Sequence, residues 1–223
     1  MKLANRILLG LGASASTWRN QLKELERRHI IKIALFLECM RLAERRQVYR
    51  ALLKSHIKQI PLVHIRGDMN KKELVFLSKN FHSIYFTIHE KDFRLLSKWS
   101  GYHKNLFLEM NTDNFVSRSV QVKKIGGFCV DLSHFKVEEE KWSKEFEYIT
   151  RRKKVTKDFA CNHLNGYSYK LNSDVHVLHR LNEFNYLKTL PSFVFGKAIA
   201  LEAGNSIAQQ LKFKKYVCKL MSR

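Results

Sequence analysis

Short apolar runs, each followed by a longer amphipathic stretch, recur along the whole chain, and this rhythm restricts the fold more than any other feature of the sequence. Eight runs read as strands: residues 6–11, 31–37, 62–65, 84–88, 105–108, 127–130, 159–162 and 198–201. Most are continuously apolar rather than alternating, the pattern of parallel strands covered on both faces. Between them the apolar spacing is helical. Residues 18–28 place Trp18, Leu22 and Leu25 on one face, and residues 39–56 carry Met40, Leu42, Val48, Leu52 and Leu53. Residues 137–151 carry Trp142, Phe146, Tyr148 and Ile149, and residues 207–220 carry Leu211, Tyr216, Val217 and Leu220, with Asn205 as the expected N-cap. The helices after the fourth and fifth strands are expected to be short, about two to three turns.

Strand–helix alternation repeated eight times predicts a closed parallel barrel: a single, compact (β/α)8 TIM barrel over residues 1–223, with its active site at the strand C-terminal face. An open doubly wound sheet is the alternative. It calls for a Gly-rich first turn, and Gly10 and Gly12 do not complete G-x-G-x-x-G. One stretch, residues 164–182, lacks the rhythm. It is long and polar, and it lies where a barrel keeps its active-site loops.

Ligand-type residues fall at the ends of the strands. His64 ends the third, His89 the fourth and Glu109 the fifth; Asp131 follows the sixth, with His134 three positions on; His163 ends the seventh and Glu202 the eighth. A lone histidine in an apolar strand is more often a hydrogen-bonded structural residue, and a lone carboxylate at a strand end is more often a helix cap. Six consecutive strands ending this way is a different observation. In a barrel these ends meet at one mouth, and so many ionisable groups there are costly without a cation. Mixed imidazole and carboxylate donors suit zinc, manganese or iron, and so many histidines disfavour calcium. Asp174 and His176 in the polar stretch, with His179 beyond, are candidates to join His134 in a further metal position.

Composition adds two constraints. Forty-one basic residues against 20 acidic give a formal charge of +21. That field attracts polyanions such as nucleic acid, anionic lipid or phosphorylated substrates; the alternative is a diffuse lysine-rich surface. The densest runs, residues 151–154 and 212–215, lie at or near predicted helix C-termini, where cations favour the macrodipole in any case. The 4 cysteines, Cys39, Cys129, Cys161 and Cys218, form no C-x-x-C pair, which fits a reducing, cytoplasmic setting. No apolar run reaches the roughly 18 residues needed to span a bilayer. The opening MKLANRILLGLGASAS mimics a short signal peptide, but Arg6 interrupts it and the same residues make a good first strand.

At these residues the chain resembles the xylose isomerase-like TIM-barrel superfamily, which includes sugar and sugar-phosphate isomerases and epimerases and the endonuclease IV class of apurinic endonucleases. The resemblance covers most of the chain from His64 onward. It rests on Leu108-Glu109, Val130-Asp131-Leu132-Ser133-His134, Asn162-His163-Leu164-Asn165, Asp174-Val175-His176 and Ala200-Leu201-Glu202. It implies that Glu109, Asp131, His163 and Glu202 form the four-ligand metal site shared across the group, and that His64 and His89 lie beside it. His134, Asp174 and His176 match the third zinc position of endonuclease IV-like members. One to three zinc or manganese ions are therefore expected.

Two activities follow from the resemblance. The preferred expectation is a sugar or sugar-phosphate isomerase or epimerase, in which Glu109 or Glu202 moves the proton and Arg66 and Lys197 bind substrate hydroxyl or phosphate groups. The other is endonuclease IV-like hydrolysis of abasic DNA, toward which the nine ligand-type residues and the charge point. A non-catalytic barrel that kept its ligands for stability is a third reading. The chain departs from the family in three places. The Gly-rich signatures of endonuclease IV are missing around His64, His89 and Asp131, and no Gly-Glu-Gly turn follows His176. Tyr169 stands where the epimerase branch carries an arginine.

Overall fold

The computed structural model describes residues 3–222; the expected domain bounds, Met1 and Arg223, lie outside the described residues. After a four-residue helix α1 (Leu3–Arg6), eight strands form a closed parallel barrel: β1 (Ile7–Leu11), β2 (Ile33–Phe36), β3 (Leu62–His64), β4 (Tyr85–His89), β5 (Leu106–Glu109), β6 (Gly127–Asp131), β7 (Phe159–Leu164) and, last in the chain, β10 (Ala198–Leu201). Between β7 and β10 a small antiparallel hairpin, β8 (Gly166–Ser168) and β9 (Ser173–Val175), stands apart from the barrel. The predicted (β/α)8 barrel is therefore present, and the open-sheet alternative is excluded by the pairing of β1 with both β2 and β10.

The apolar runs become strands because both of their faces are covered. Leu8, Ala34, Phe36, Leu62, Phe107, Cys129, Cys161, Ala198 and Ala200 pack together inside the barrel. The alternate residues, among them Leu9, Leu11, Ile33, Leu35 and Val63, pack outward into the larger apolar cluster under the helices. Gly10 is required in this interior, because a Cβ there would sit 1.9 Å from the Leu201 carbonyl oxygen.

The helices are α2 (Trp18–Arg27), α3 (Leu42–Leu53), α4 (Lys71–Phe81), α5 (Leu132–Lys141), α6 (Lys144–Thr150) and α7 (Ile207–Met221). In α2 the residues Trp18, Leu22 and Leu25 are buried, as their spacing predicts. The connections after β4 and β5 are short 3₁₀ turns, Glu90–Trp99 and Val122–Lys124. Two local expectations are corrected. The predicted helix over residues 137–151 is two helices: α5 ends at Trp142, which adopts φ 53°, and Ser143 caps α6 by accepting the Phe146 amide at 3.1 Å. Trp142 is thereby turned outward and is 70 % exposed rather than packed on the helix face. The N-cap of α7 is Ser206, in a capping box with Gln209, not Asn205. Asn205 instead holds the preceding loop, bonding both backbone groups of Leu178 at 2.9 and 2.8 Å.

No helix of the described residues is long and apolar enough to cross a membrane. Cys39, Cys129, Cys161 and Cys218 are free thiols.

Candidate metal centre

Parallel strands carry their C-terminal residues to one mouth, and the register sets those residues level. Phe36 is opposite His64, His64 opposite Thr87, His89 opposite Glu109, and Asp131 opposite His163. The structure gathers all nine predicted ligand residues there, in four groups, three of which share members, with the donor atoms of each group within 4.8 Å of one another. These are Glu109, Asp131, His163 and Glu202; His64, Glu109 and His163; Glu38, His64 and His89; and His134, Asp174 and His176.

The central group is almost fully buried. His163 Nδ1 lies 3.0 Å from Glu109 Oε2 and 3.3 Å from Glu202 Oε2, yet all three atoms lack a partner with hydrogen-bond geometry. They are close together without hydrogen-bonding one another. The other ring nitrogen, Nε2, is 3.3 Å from Thr87 Oγ1. If Nε2 donates to Thr87, the Nδ1 lone pair faces two carboxylate oxygens, and only a proton or a cation between them relieves the repulsion. The donor set therefore fits a divalent ion. Without one, a proton does the neutralising. Burial alone would lower the His163 imidazole, but Cys129, Glu109 and Glu202 outweigh it and hold the ring well above its usual value. Burial pushes the Glu202 carboxyl up to about 8, with His163 opposing and Glu109 and Asp131 adding to the push. Burial would raise Glu109 too, but His163 and His64 hold it well below the usual carboxylate range.

Asp131 is locked in place by its neighbours. Its Oδ1 accepts the His134 amide at 2.8 Å, as N-cap of α5, and the Ser133 hydroxyl at 2.9 Å; Asn165 Nδ2 reaches Oδ2 at 3.1 Å. Ser133 also bonds Asn165 Oδ1 at 2.8 Å, and Tyr186 donates to the Asn165 carbonyl at 3.0 Å. Ligands held by such outer hydrogen bonds keep their orientation. Phe36 forms the apolar floor, its ring centroid 5.2 Å from that of His163 and 6.3 Å from that of His64.

Two groups flank the centre. On one side His89 Nε2 is 3.0 Å from Glu38 Oε2 and 3.2 Å from His64 Nε2, which in turn lies 3.6 Å from Glu109 Oε2. Burial drives His64 down to about 3, against the pull of Glu38 and Glu109, so its ring is neutral. On the other side His176 Nε2 is 2.8 Å from Asp174 Oδ2, His134 Nε2 is 3.9 Å from the same oxygen, and His134 Nδ1 is 3.8 Å from Glu109 Oε1. Asp174 holds His176 up to about 9 against its burial. Burial would lower His134, but Asp131, Asp174 and Glu109 raise it to about 10. The β8–β9 hairpin brings Asp174 to this position, and the Gly204 amide anchors the loop by donating to the His176 carbonyl at 2.8 Å. His179 lies outside the group and is exposed.

Arg66 stands at the same mouth, its guanidinium donating to the Glu38 carbonyl at 3.2 Å. The substrate-binding expectation for Lys197 is corrected. Lys197 precedes β10, so it lies at the opposite mouth, in a cleft with Arg6, Lys32 and Tyr85. Sequence reasoning also missed Glu38. It follows the second apolar run directly, so applying the strand-end rule to that run finds it. Ser133 and Asn165 stand inside the motifs already singled out, but their roles depend on contacts between strands distant in sequence.

No protein-family model matches the chain, and a search of curated proteins finds no match.

Proposed function

We propose that this barrel is a polynuclear metal-dependent phosphodiester hydrolase, of the kind implied by its resemblance to endonuclease IV-like members of the xylose isomerase-like superfamily. The observation that carries this reading is the sharing of Glu109. Its Oε2 faces His64 and His163, and its Oε1 faces His134, so one carboxylate touches three donor groups. An isomerase that holds one metal needs the central group alone, and the two flanking groups exceed that need.

Glu109, Asp131, His163 and Glu202 would hold one divalent ion, Glu38, His64 and His89 with Glu109 a second, and His134, Asp174 and His176 a third. Bound there, zinc or manganese lowers the pKa of a water and neutralises charge on phosphate oxygens. The chain's own residues do the positioning. Thr87 orients His163, Ser133 and Asn165 fix Asp131, and Arg66 offers a cation to a substrate phosphate at the rim. The buried Phe36 floor keeps solvent from beneath the ligands.

The test is incubation of zinc-loaded protein with a duplex carrying one abasic site, beside metal analysis of the purified protein. Strand cleavage 5′ to the site by protein holding more than one tightly bound ion is the expected result. A single exchangeable ion together with an intact duplex would refute it.

One observation favours the sugar or sugar-phosphate isomerase as a second reading. Glu202 and Glu109 flank the same His163 nitrogen and are pushed in opposite directions, one toward the acid and the other toward the carboxylate. Such a split suits a proton moved between adjacent carbons. Exchange of solvent deuterium into aldose or ketose phosphates, with no duplex cleavage, would select this reading.

A further inference from the structure

All barrel strands are parallel, so residues that enter them share the mouth opposite the ligands. That mouth carries a set of lysines placed just ahead of the strands. Lys32 precedes β2, Lys104 lies just ahead of β5, Lys123 ahead of β6, Lys157 ahead of β7 and Lys197 ahead of β10. All five are exposed, and none forms an ion pair among the described residues. The run Arg151–Lys154 reaches the same end of the molecule at the C-terminus of α6. The helix dipole accounts for that run, but Lys32 and Lys197 lie in connecting segments, and Lys104, Lys123 and Lys157 lie in three-residue 3₁₀ turns, too short to build a macrodipole that would gather them.

Two clefts indent this mouth. One, of about 470 Å³, is lined by Lys104, Lys123, Arg152 and Lys157, with Asp158 the one carboxylate on its wall. The other, of about 460 Å³, is lined by Arg6, Lys32, Lys197, His82 and Tyr85, with no carboxylate on its wall. Unpaired like charges side by side repel and cost stability unless a polyanion covers them.

We propose that the strand N-terminal mouth binds the phosphate backbone of nucleic acid, at a face separate from the metal-type cluster at the other end of the barrel. Nucleic acid fits better than an anionic bilayer because the cations line concave clefts, into which a ridge of phosphates can enter and a flat membrane cannot. The exposed aromatic residues that anchor proteins in a bilayer interface are elsewhere. Phe115 and Tyr169 follow β5 and β8, and Trp142 is at the α5–α6 break. The proposal does not rest on the hydrolase reading, and it holds equally for a barrel acting on a small substrate.

The experiment is fluorescence anisotropy with a labelled, intact duplex of mixed sequence over a range of salt. It compares the wild type, K104Q/K123Q/K157Q, K32Q/K197Q, the combination of all five, and K91Q/R94Q. Wild type should bind, with affinity falling steeply as salt rises. The five-site variant should lose at least tenfold at low salt, and its salt slope should flatten by about 0.9 for each phosphate contact removed. Chelator-treated wild type and K91Q/R94Q, which removes two exposed cations just after β4 at the other mouth, should bind as untreated wild type does. Lysine-to-arginine versions at the same five sites should retain binding, which separates lost charge from lost fold. Unchanged affinity in the five-site variant overturns the proposal, as does a matching loss in K91Q/R94Q, which would place the nucleic acid at the other mouth. Displacement of the duplex by phosphatidylserine vesicles at matched charge overturns it in favour of a membrane. Duplex cleavage is not read, so failure here leaves the hydrolase reading untouched.

Discussion

The two mouths of the barrel are built from opposite chemistry. At the strand C-terminal mouth the ligand-type residues pair with partners of the other sign, buried at the centre as with Glu109 beside His163 and more open at the rim as with Asp174 beside His176. At the strand N-terminal mouth the charges that line the two clefts are basic apart from Asp158, and the strand-entry lysines among them, such as Lys104 and Lys197, are exposed and unpaired. The difference teaches that position relative to a strand, before or after, sorts function on this fold. Residues after strands converge on a small dry centre, and residues before strands spread around an open rim. A net charge of +21 is therefore no guide to the mouth that holds the ligand-type residues.

The largest effect that separates the mouths is expected from Glu109→Gln. The amide keeps the shape but removes the charge that faces three donor groups. Turnover should fall by about 10²- to 10³-fold, the size seen when one preorganised electrostatic group is removed, and metal content should drop. Steady-state kinetics and metal analysis check this. Undiminished metal binding would remove Glu109 from the centre.

The pH dependence of metal binding sharpens the contrast within the catalytic mouth. His134 and His176, held up to about 10 and about 9, are both protonated at pH 7, whereas His64, driven down to about 3, is not. A raised pKa means that the competing proton stays bound until pH climbs through it. Zinc affinity of the His134–Asp174–His176 group should therefore rise with pH up to about 10, by roughly tenfold per pH unit for each proton displaced, two of them below about pH 9 and one above it. The group containing His64 should respond more weakly. Calorimetric titration in buffers of different ionisation enthalpy counts the protons released. Equal release at both groups would abolish the distinction.

Asn165→Ala tests the support of the centre rather than the centre itself. It removes the donor to Asp131 Oδ2 and one partner of Ser133. Loss of such an outer partner should weaken metal affinity by about 10- to 100-fold while leaving the ligand set intact. Competition with a chromogenic chelator measures it. Wild-type affinity would mean that Ser133 and the α5 amide suffice to hold Asp131.

The barrel was legible in the sequence because its strands are covered on both sides, and continuous apolar runs are what such burial demands. The ligands were legible for a related reason: a titratable residue that ends an apolar run is conspicuous. Glu38 was not, since Glu38-Cys39-Met40-Arg41 reads as the start of the following helix. The α5–α6 break was hidden because Trp142 continues the helical spacing, and only its left-handed backbone, which the sequence does not announce, turns it into solvent. The hairpin carrying Asp174 is held by polar contacts such as Tyr167 to Asn172 at 2.7 Å, which leave no periodic trace. The charge asymmetry is plain only once each lysine is placed before or after a strand, and a linear reading of Lys197 put it at the wrong end.

The smallest effect on catalysis is expected from Lys197→Gln, and it bears directly on that misplacement. Lys197 stands at the entry to β10, whereas Glu202 lies just beyond the other end of the same strand, so the strand's length separates them. At about 3.3 Å of rise per residue, that strand spans on the order of 13 Å, beyond the roughly 8 Å Debye length of physiological salt. K197Q should therefore leave kcat and KM unchanged on a short substrate that cannot reach around the barrel, while lowering the salt slope of duplex binding by about 0.9. A rise in KM on the short substrate would mean that Lys197 acts at the catalytic mouth after all, and the separation of the two faces would fail with it.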